Sequence, residues 1–442
     1  MEMLLVATFV VGYLAIVLEH NIHVNKSAPA LIIGILCWTI YALQTDKSLD
    51  IVHLELHEHL AEIAGVLFFL LGAMTIVELI DAHEGFEVIL KRINAKKKTG
   101  LLWMLCFLTF FLSALLDNLT TTIVMVSILR KLIKDRNTRL FFIGMVVISA
   151  NAGGAWSPIG DVTTTMLWIG GQVSTANIIK MLIVPSLFCL IVPLSIATFI
   201  ISHKSKKENK LPAKPHEKEE KHSGGHFKHE IEILEREKKI ILFAGVGALL
   251  FAPIFKTYTH LPPFMGIMLS LGVLWLLTEI LHKDKNDEVK SPLSVMGVLK
   301  RVDTPSILFF FGILLAISSL QATGILKELA TTLDHSVGNI YTIGYLLGLL
   351  SAIVDNVPLV AAAMGMYDLA QYPTDHVLWE FIAYCAGTGG SALIIGSASG
   401  VAAMGMERIS FIWYLKNISW LALAGYSAGA FIYIVQIVIF HP

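Results

Sequence analysis

The chain has 442 residues, 55% of them hydrophobic and 15% charged, with a formal net charge of −1 and a mean hydropathy of +0.71. Long apolar runs on that background read as an all-α polytopic membrane protein, and the near-zero charge argues against a nucleic-acid partner. Cys37, Cys106, Cys189 and Cys385 all fall in apolar runs without paired spacing, so they read as small buried residues rather than disulfides or a metal site.

Residues 3–18 lack a basic n-region and read as a first membrane helix rather than a signal peptide. Helices are expected near 3–19, 28–43 and 60–80, separated by the short segment 20–27 and an acidic, His-rich loop 44–59. Glu62 and Glu78 bracket the third helix, either as solvated boundary residues or as groups on an entry or proton path. The stretch 101–129 follows, LLWMLCFLTFFLSALLDNLTTTIVMVSIL, with Asp117 and Asn118 at its middle. Basic residues precede it (Lys91, Arg92, Lys96, Lys97, Lys98) and follow it (Arg130, Lys131, Lys134, Arg136, Arg139). Basic flanks mark the cytoplasmic side, so the stretch is expected to enter and leave on one face as a re-entrant hairpin. Its tip would carry Asp117 and Asn118 to mid-bilayer depth; one long tilted helix is the alternative. A carboxylate at that depth costs roughly 2.5–3.5 kcal/mol and usually marks an ion or proton pathway.

Residues 140–170 contain no Lys or Arg, and their centre reads Asn151-Ala-Gly-Gly-Ala-Trp-Ser-Pro-Ile-Gly-Asp161-Val-Thr-Thr. Three glycines, a proline and an Asp predict a helix broken at mid-membrane, with its freed backbone facing a cavity. A helix near 178–201 returns to a polar, Lys-, Glu- and His-rich segment, 203–239, read as a cytoplasmic linker. His222, His226 and His229 within it are solvated in the simplest reading and metal-binding or pH-sensing in the alternative. The second half is expected to give helices near 240–256, 262–282 and 304–322, with a cytoplasmic amphipathic stretch at 291–302. No basic residue stands between Lys327 and Arg408, so a second hairpin, 338–370, should enter from outside. A second broken helix, 377–406, is centred on Gly387-Thr388-Gly-Gly-Ser391 and runs on through Ser397 and Ser399; a last helix covers 410–440. The organisation is thus a first membrane half 1–202, the linker 203–239 and a second membrane half 240–442.

The halves repeat. Ser113-Ala-Leu-Leu-Asp117-Asn118 returns 238 residues later as Ser351-Ala-Ile-Val-Asp355-Asn356. Gly72 matches Gly312, offset 240, and Gly153-Gly154 matches Gly389-Gly390, offset 236. Two related hairpins entering from opposite faces make an inverted repeat, which points to a transporter with its site at the repeat interface. The candidate site is Asp117, Asn118, Asn151, Ser157, Asp161, Thr163, Asp355, Asn356, Thr388 and Ser391. These are hard oxygen donors suited to a small hard cation. A carboxylate that holds Na⁺ when ionised and a proton when not is sufficient for antiport. Positively charged residues are absent from all four motifs, so an anion would depend on half-helix N-termini or bound cations. Asp161, whose repeat partner is Ser397, is either a ligand or a structural cap. Asn118 and Asn356 bond the hairpin backbone, ligate, or do both, and Ser113 and Ser351 can be plain packing residues of a hairpin seam. A membrane enzyme would need intramembrane His or Cys pairs, which are absent, and no cofactor is expected beyond the transported ion.

These residues resemble a known family. Paired hairpin tips and Gly-rich broken helices are similar to the ion transporter superfamily, which includes dicarboxylate/sodium symporters and arsenite permeases. More specifically, Ser113 to Thr122, Asn151 to Thr164 and Asp355-Asn-Val-Pro resemble the NhaD type of Na⁺/H⁺ antiporter, a likeness that runs from about residue 28 to the end. The resemblance implies exchange of Na⁺, often Li⁺, for H⁺ in the inner (plasma) membrane by a homodimer with a scaffold and a mobile transport unit. In the symporters the hairpin tips carry Ser-Asn-Thr; here Asp117 and Asp355 stand at the Ser positions, which should repel a dicarboxylate. Na⁺-coupled uptake of an organic anion is the alternative function. Ten crossings place both termini outside, whereas relatives often carry one more N-terminal helix.

Overall fold

The computed structural model describes residues 2–17, 19–22, 24–90, 97–203, 233–353 and 355–440. They are overwhelmingly helical, and among them nine helices are long and apolar enough to cross a membrane. Most of the polar linker, including His222, His226 and His229, lies outside the described residues, as do Lys91, Arg92 and Lys96.

Three boundaries differ from expectation. The third helix spans Leu49–Ala82, so the expected loop 44–59 is helical from residue 49. That stretch holds no Gly or Pro and several good helix formers. Glu55 accepts hydrogen bonds from Tyr41 Oη (2.6 Å) and Lys47 Nζ (2.5 Å), which fastens this helix antiparallel to Ser27–Gln44. The second half opens with Glu235–Thr259, so the last residues of the expected linker are helical. Lys238 there is buried between Glu84 and Glu87, the latter at 3.1 Å. The final helix is interrupted, as Phe411–Asn417 and Ser419–Phe440.

The helices form two groups. In the first, Ser27–Gln44 lies parallel to Thr304–Ala322: Ser27 Oγ donates to the Pro305 carbonyl (2.6 Å) and Trp38 Nε1 to the Leu315 carbonyl (2.9 Å). Gly34 and Gly312 sit at the crossing, where a Cβ on Gly34 would stand 2.5 Å from the Gly312 carbonyl oxygen. Such small-residue crossings pack helices where lipid supplies no hydrophobic force between them. Reciprocally, Leu49–Ala82 packs on Pro263–Leu281 with Gly72 against Ile267. The anchors Gly72 and Gly312 therefore mark the contact of each repeat's third helix with the second helix of the other repeat. Leu49–Ala82 is antiparallel to Ser27–Gln44 and Thr304–Ala322 parallel to it. The matched helices thus run in opposite directions, as an inverted repeat requires.

The second group holds the hairpins. Lys98–Leu116 and Asn118–Leu132 double back at Asp117, with Lys98 Nζ 3.4 Å from Thr138 Oγ1 just beyond the second arm. Ile340–Leu350 and Asn356–Met366 form the second hairpin, closed by Tyr367 Oη donating to Asp334 Oδ1 (3.2 Å). Each hairpin lies along a broken helix. The first is Arg136–Ala155 followed by Val162–Ile169; the second is Val377–Gly389, a 3₁₀ turn Gly390–Ala392, then Ala398–Glu407. Ser113 Oγ donates to the Ala150 carbonyl (2.6 Å) and Ser351 Oγ to the Ala386 carbonyl (2.9 Å), so both seam serines bond as well as pack.

Not every glycine of these motifs unwinds its helix, although Gly160 lies in the first break and Gly390 opens the second. Gly153 and Gly389 remain helical, and unwinding starts at Trp156 and in the 3₁₀ turn at Gly390. They are glycines because the hairpin backbone presses on them. A Cβ would stand 2.1 Å from the Phe110 carbonyl oxygen at Gly153 and 2.0 Å from that of Gly348 at Gly389. Gly153→Val and Gly389→Val are therefore expected to cost at least about 3 kcal/mol of overpacking strain. Gly247→Ala, which meets open space, should cost under about 1 kcal/mol and serves as the control. Thermal unfolding of the purified proteins measures the difference.

At the ends of Leu49–Ala82 and Pro263–Leu281, His83 and His282 are buried and stack with ring centroids 5.0 Å apart. His83 Nδ1 faces the Leu79 carbonyl at 2.7 Å. Burial, with a smaller contribution from His282 and Lys285, pushes the His83 imidazole down to about 4. Burial lowers His282 as well. A histidine kept neutral in the fold binds its proton more readily when unfolded, so this contact stabilises the fold fully above the unfolded value near 6.5. The contribution, about 3 kcal/mol for His83, is lost as pH falls toward 4. His83→Phe should therefore flatten the decline in melting temperature between pH 7 and pH 4.5 relative to the unsubstituted protein.

Candidate functional site

Four helices begin at one place in the interior: Asn118–Leu132, Val162–Ile169, Asn356–Met366 and Ala398–Glu407. A helix start leaves N–H groups without intrahelical partners and carries the positive end of the helix dipole. Each of these four starts is capped by a side chain. Asp117 accepts from Thr120 N and Thr120 Oγ1, both at 2.8 Å, Asp161 from Thr163 N (3.1 Å), and Asp355 from Val357 N (3.3 Å). Ser397 accepts from Gly400 N (3.2 Å). Asp161 (φ −148°, ψ 143°) and Ser397 (φ −146°, ψ 152°) share one backbone conformation, as repeat partners should. Asp117 does not match its partner: its φ of 84° and ψ of 159° lie in a region that non-glycine residues rarely occupy, at a cost of roughly 1–3 kcal/mol.

Asp161 is also more than a cap. It is 2% exposed, and its Oδ2 accepts from Asn118 Nδ2 (3.0 Å) and Asn356 Nδ2 (3.4 Å), one asparagine from each hairpin tip. Asn151, fully buried, ties the two broken helices together. Its Nδ2 donates to Ser391 Oγ (2.8 Å) and Ser397 Oγ (2.9 Å), while its Oδ1 accepts from Ser399 Oγ (2.6 Å) and Asn118 Nδ2 (3.1 Å). Neither Ser157 nor Thr388 directs its hydroxyl to this cluster. Ser157 Oγ donates to the Ala114 carbonyl (2.6 Å) and Thr388 Oγ1 to that of Tyr384 (2.6 Å). Thr163 contributes its backbone N–H to the Asp161 cap.

Between the hairpin tips and the first helix group lies a cavity with about 60 Å³ of room for water-sized spheres, lined by Asp117, Asn118, Asp161, Asp355, Asn356 and Lys26. That is space for a small cation and a few water molecules. The four motifs hold no positive side chain, as the sequence shows, but Lys26 reaches the cavity from outside them: its Nζ lies 2.9 Å from Asp355 Oδ2. A lysine just before an apolar helix ordinarily reads as an interfacial anchor, so nothing in the local sequence marks it. Ser397 and Ser399, which the sequence offers as donors of the second broken helix, join the cluster through Asn151. A second cavity shares Lys26, Met74 and Leu119 with the first and leads past Glu78 and Asp81 to Arg301 and Asp303. A third, lined by His59, Glu62 and Gln321, shares no lining residue with the central one. Glu78 and Glu62 thus border different cavities.

A sequence model of the family described as "Citrate transporter" matches residues 13–387. The chain is 47% identical to Sodium/proton antiporter 1 of Arabidopsis thaliana, over 96% of its own length and 71% of the relative's. It is 46% identical to Sodium/proton antiporter 2 of the same plant, over 96% and 97%. The Na(+)/H(+) antiporter NhaD of Alkalimonas amylolytica is 30% identical over 93% of this chain and 86% of that protein. The chain therefore belongs to the citrate-transporter family and, within it, to the NhaD type.

Proposed function

We propose that this membrane transporter exchanges cytoplasmic Na⁺ or Li⁺ for external H⁺ at the cavity between the hairpin tips. The observation that carries this reading is the set of three carboxylates, Asp117, Asp161 and Asp355, around one small cavity with the Asn118 and Asn356 amides. Carboxylate and amide oxygens are the donors that replace the water shell of a small hard cation. Each carboxylate can hold either a cation or a proton. Binding one therefore releases the other, which is sufficient for exchange. The ligands proposed are Asp117, Asn118, Asp161, Asp355 and Asn356, with Asn151 and Ser391 positioning them. Ser157 and Thr388 leave the set because their hydroxyls are engaged by backbone carbonyls.

In this reading the hairpins are re-entrant from opposite faces, and the basic residues flanking 101–129 lie in the cytoplasm. The cavity then communicates with the cytoplasm past Glu78 and Arg301, an inward-facing arrangement. The hairpins and broken helices form the moving unit against the other helix group. On the family resemblance the reading includes a homodimer in the inner (plasma) membrane. The family description favours an organic anion as a second cargo, and four helix N-termini with Lys26 give that reading some physical basis. Three carboxylates outnumber the one lysine, however, and that lysine is already paired.

Proton movement in everted vesicles holding a respiration-driven pH gradient tests the proposal. Na⁺ and Li⁺ are expected to collapse the gradient in wild type, and K⁺ and succinate to leave it. Asp117→Asn and Asp161→Asn should each reduce the Na⁺ response about 100-fold, the effect of losing roughly 3 kcal/mol of charge-assisted contact. Succinate uptake driven by Na⁺, with no cation-evoked proton movement, would overturn the reading in favour of symport.

A further inference from the structure

Lys26 joins the two helix groups at the site. Its backbone belongs to the first group: the Lys26 N–H donates to Glu19 Oε1 (3.1 Å), and the adjacent Ser27 bonds the Pro305 carbonyl (2.6 Å). Its ammonium reaches across to the tip of the second hairpin, 2.9 Å from Asp355 Oδ2, and lies over the Phe309 ring, 4.2 Å from its centroid. The Lys26 and Asp355 side chains are 23% and 16% exposed, so the pair is partly desolvated but still borders the cavity. The other charged groups facing it are Glu19 and Asp303, with Asp117 and Asp161 across the cavity and Tyr13 of the first helix near Asp355.

An ammonium carries the same charge as a sodium ion and binds the same carboxylate oxygens, but it is tethered and cannot be transported. We propose that Lys26 is a built-in competitor for the transported cation: it occupies Asp355 when the site is empty, and the arriving cation displaces it. This inference rests on the cation-exchange reading of the cavity and goes beyond it by assigning a residue outside all four motifs. Pairing weakens cation binding, because the incoming ion must break a contact already made at Asp355. The pair crosses between the two helix groups, so its breaking and remaking accompanies any movement of one group on the other.

The test uses full-length protein in everted vesicles, with the half-saturating Na⁺ concentration measured from pH 6.5 to pH 9. Lys26→Gln removes the competitor. At pH 8.5 and above it is expected to lower half-saturating Na⁺ about tenfold, equivalent to ~1.4 kcal/mol. Lys26→Arg, which keeps the charge, should retain the wild-type half-saturation. Na⁺-dependent thermal stabilisation of the purified variants gives a second reading that does not require transport. A Lys26→Gln protein with wild-type half-saturation overturns the proposal. So does equal impairment of Lys26→Gln and Lys26→Arg at every pH, which would assign Lys26 a structural role only. Absence of Na⁺-evoked proton movement in wild type defeats the exchange reading itself, and is distinguished from failure of the Lys26 assignment by that arm alone.

Discussion

Four helices start in the middle of this protein, and the backbone N–H groups at those starts have no water of bulk solvent to bond. Burying such groups unpaired costs several kcal/mol each, and the arrangement around them follows from avoiding that cost. Asp117, Asp161, Asp355 and Ser397 each turn a side-chain oxygen onto the freed backbone. Acidic caps suit the positive end of a helix dipole, so the device that satisfies the backbone also concentrates carboxylates at one depth. In the exchange proposed above, structural need and ion chemistry coincide in the same residues.

The glycines decide how closely these starts can gather. With Gly153 against Phe110 and Gly389 against Gly348, each hairpin lies directly on the broken helix that follows it. That contact puts Asn118 within reach of both Asn151 and Asp161. The two repeats then interlock: Ala398–Glu407 packs on the second arm of the first hairpin, and Val162–Ile169 on the second arm of the other. The site is therefore made of both repeats, and neither half of the chain contains it alone.

The symmetry is broken where charge matters most. Asp161 faces both hairpin asparagines, while its counterpart Ser397 bonds Asn151. Asp355 is held by Lys26, while Asp117 in its unusual backbone conformation is held by Thr120. Three carboxylates on a two-fold framework thus have three different environments. The lysine comes from the first helix group, so the electrostatics of the cavity depend on the relative position of the two groups.

Much of this was legible in the sequence, because a polar residue in lipid has few explanations. The breaks at Asp117 and Asp355, the doublets of glycine and the drift of the repeat offset follow from the order of residues alone, and together they specify an all-α chain of repeated hairpins and broken helices. Local sequence misjudged the stretch 49–59, where polarity suggested a loop although every residue tolerates a helix that extends past the apolar region. It also could not separate Gly153 and Gly389, which are sites of close approach, from Gly160 and Gly390, which lie in the breaks, a distinction that depends on what lies opposite. The pairing of Lys26 with Asp355 spans 329 residues, and the division of oxygens between backbone carbonyls and the cavity is set by packing between helices. Composition and repeat determined which polar groups enter the interior. Only the tertiary structure decided which of them face one another, because that depends on distances between elements that no local pattern encodes.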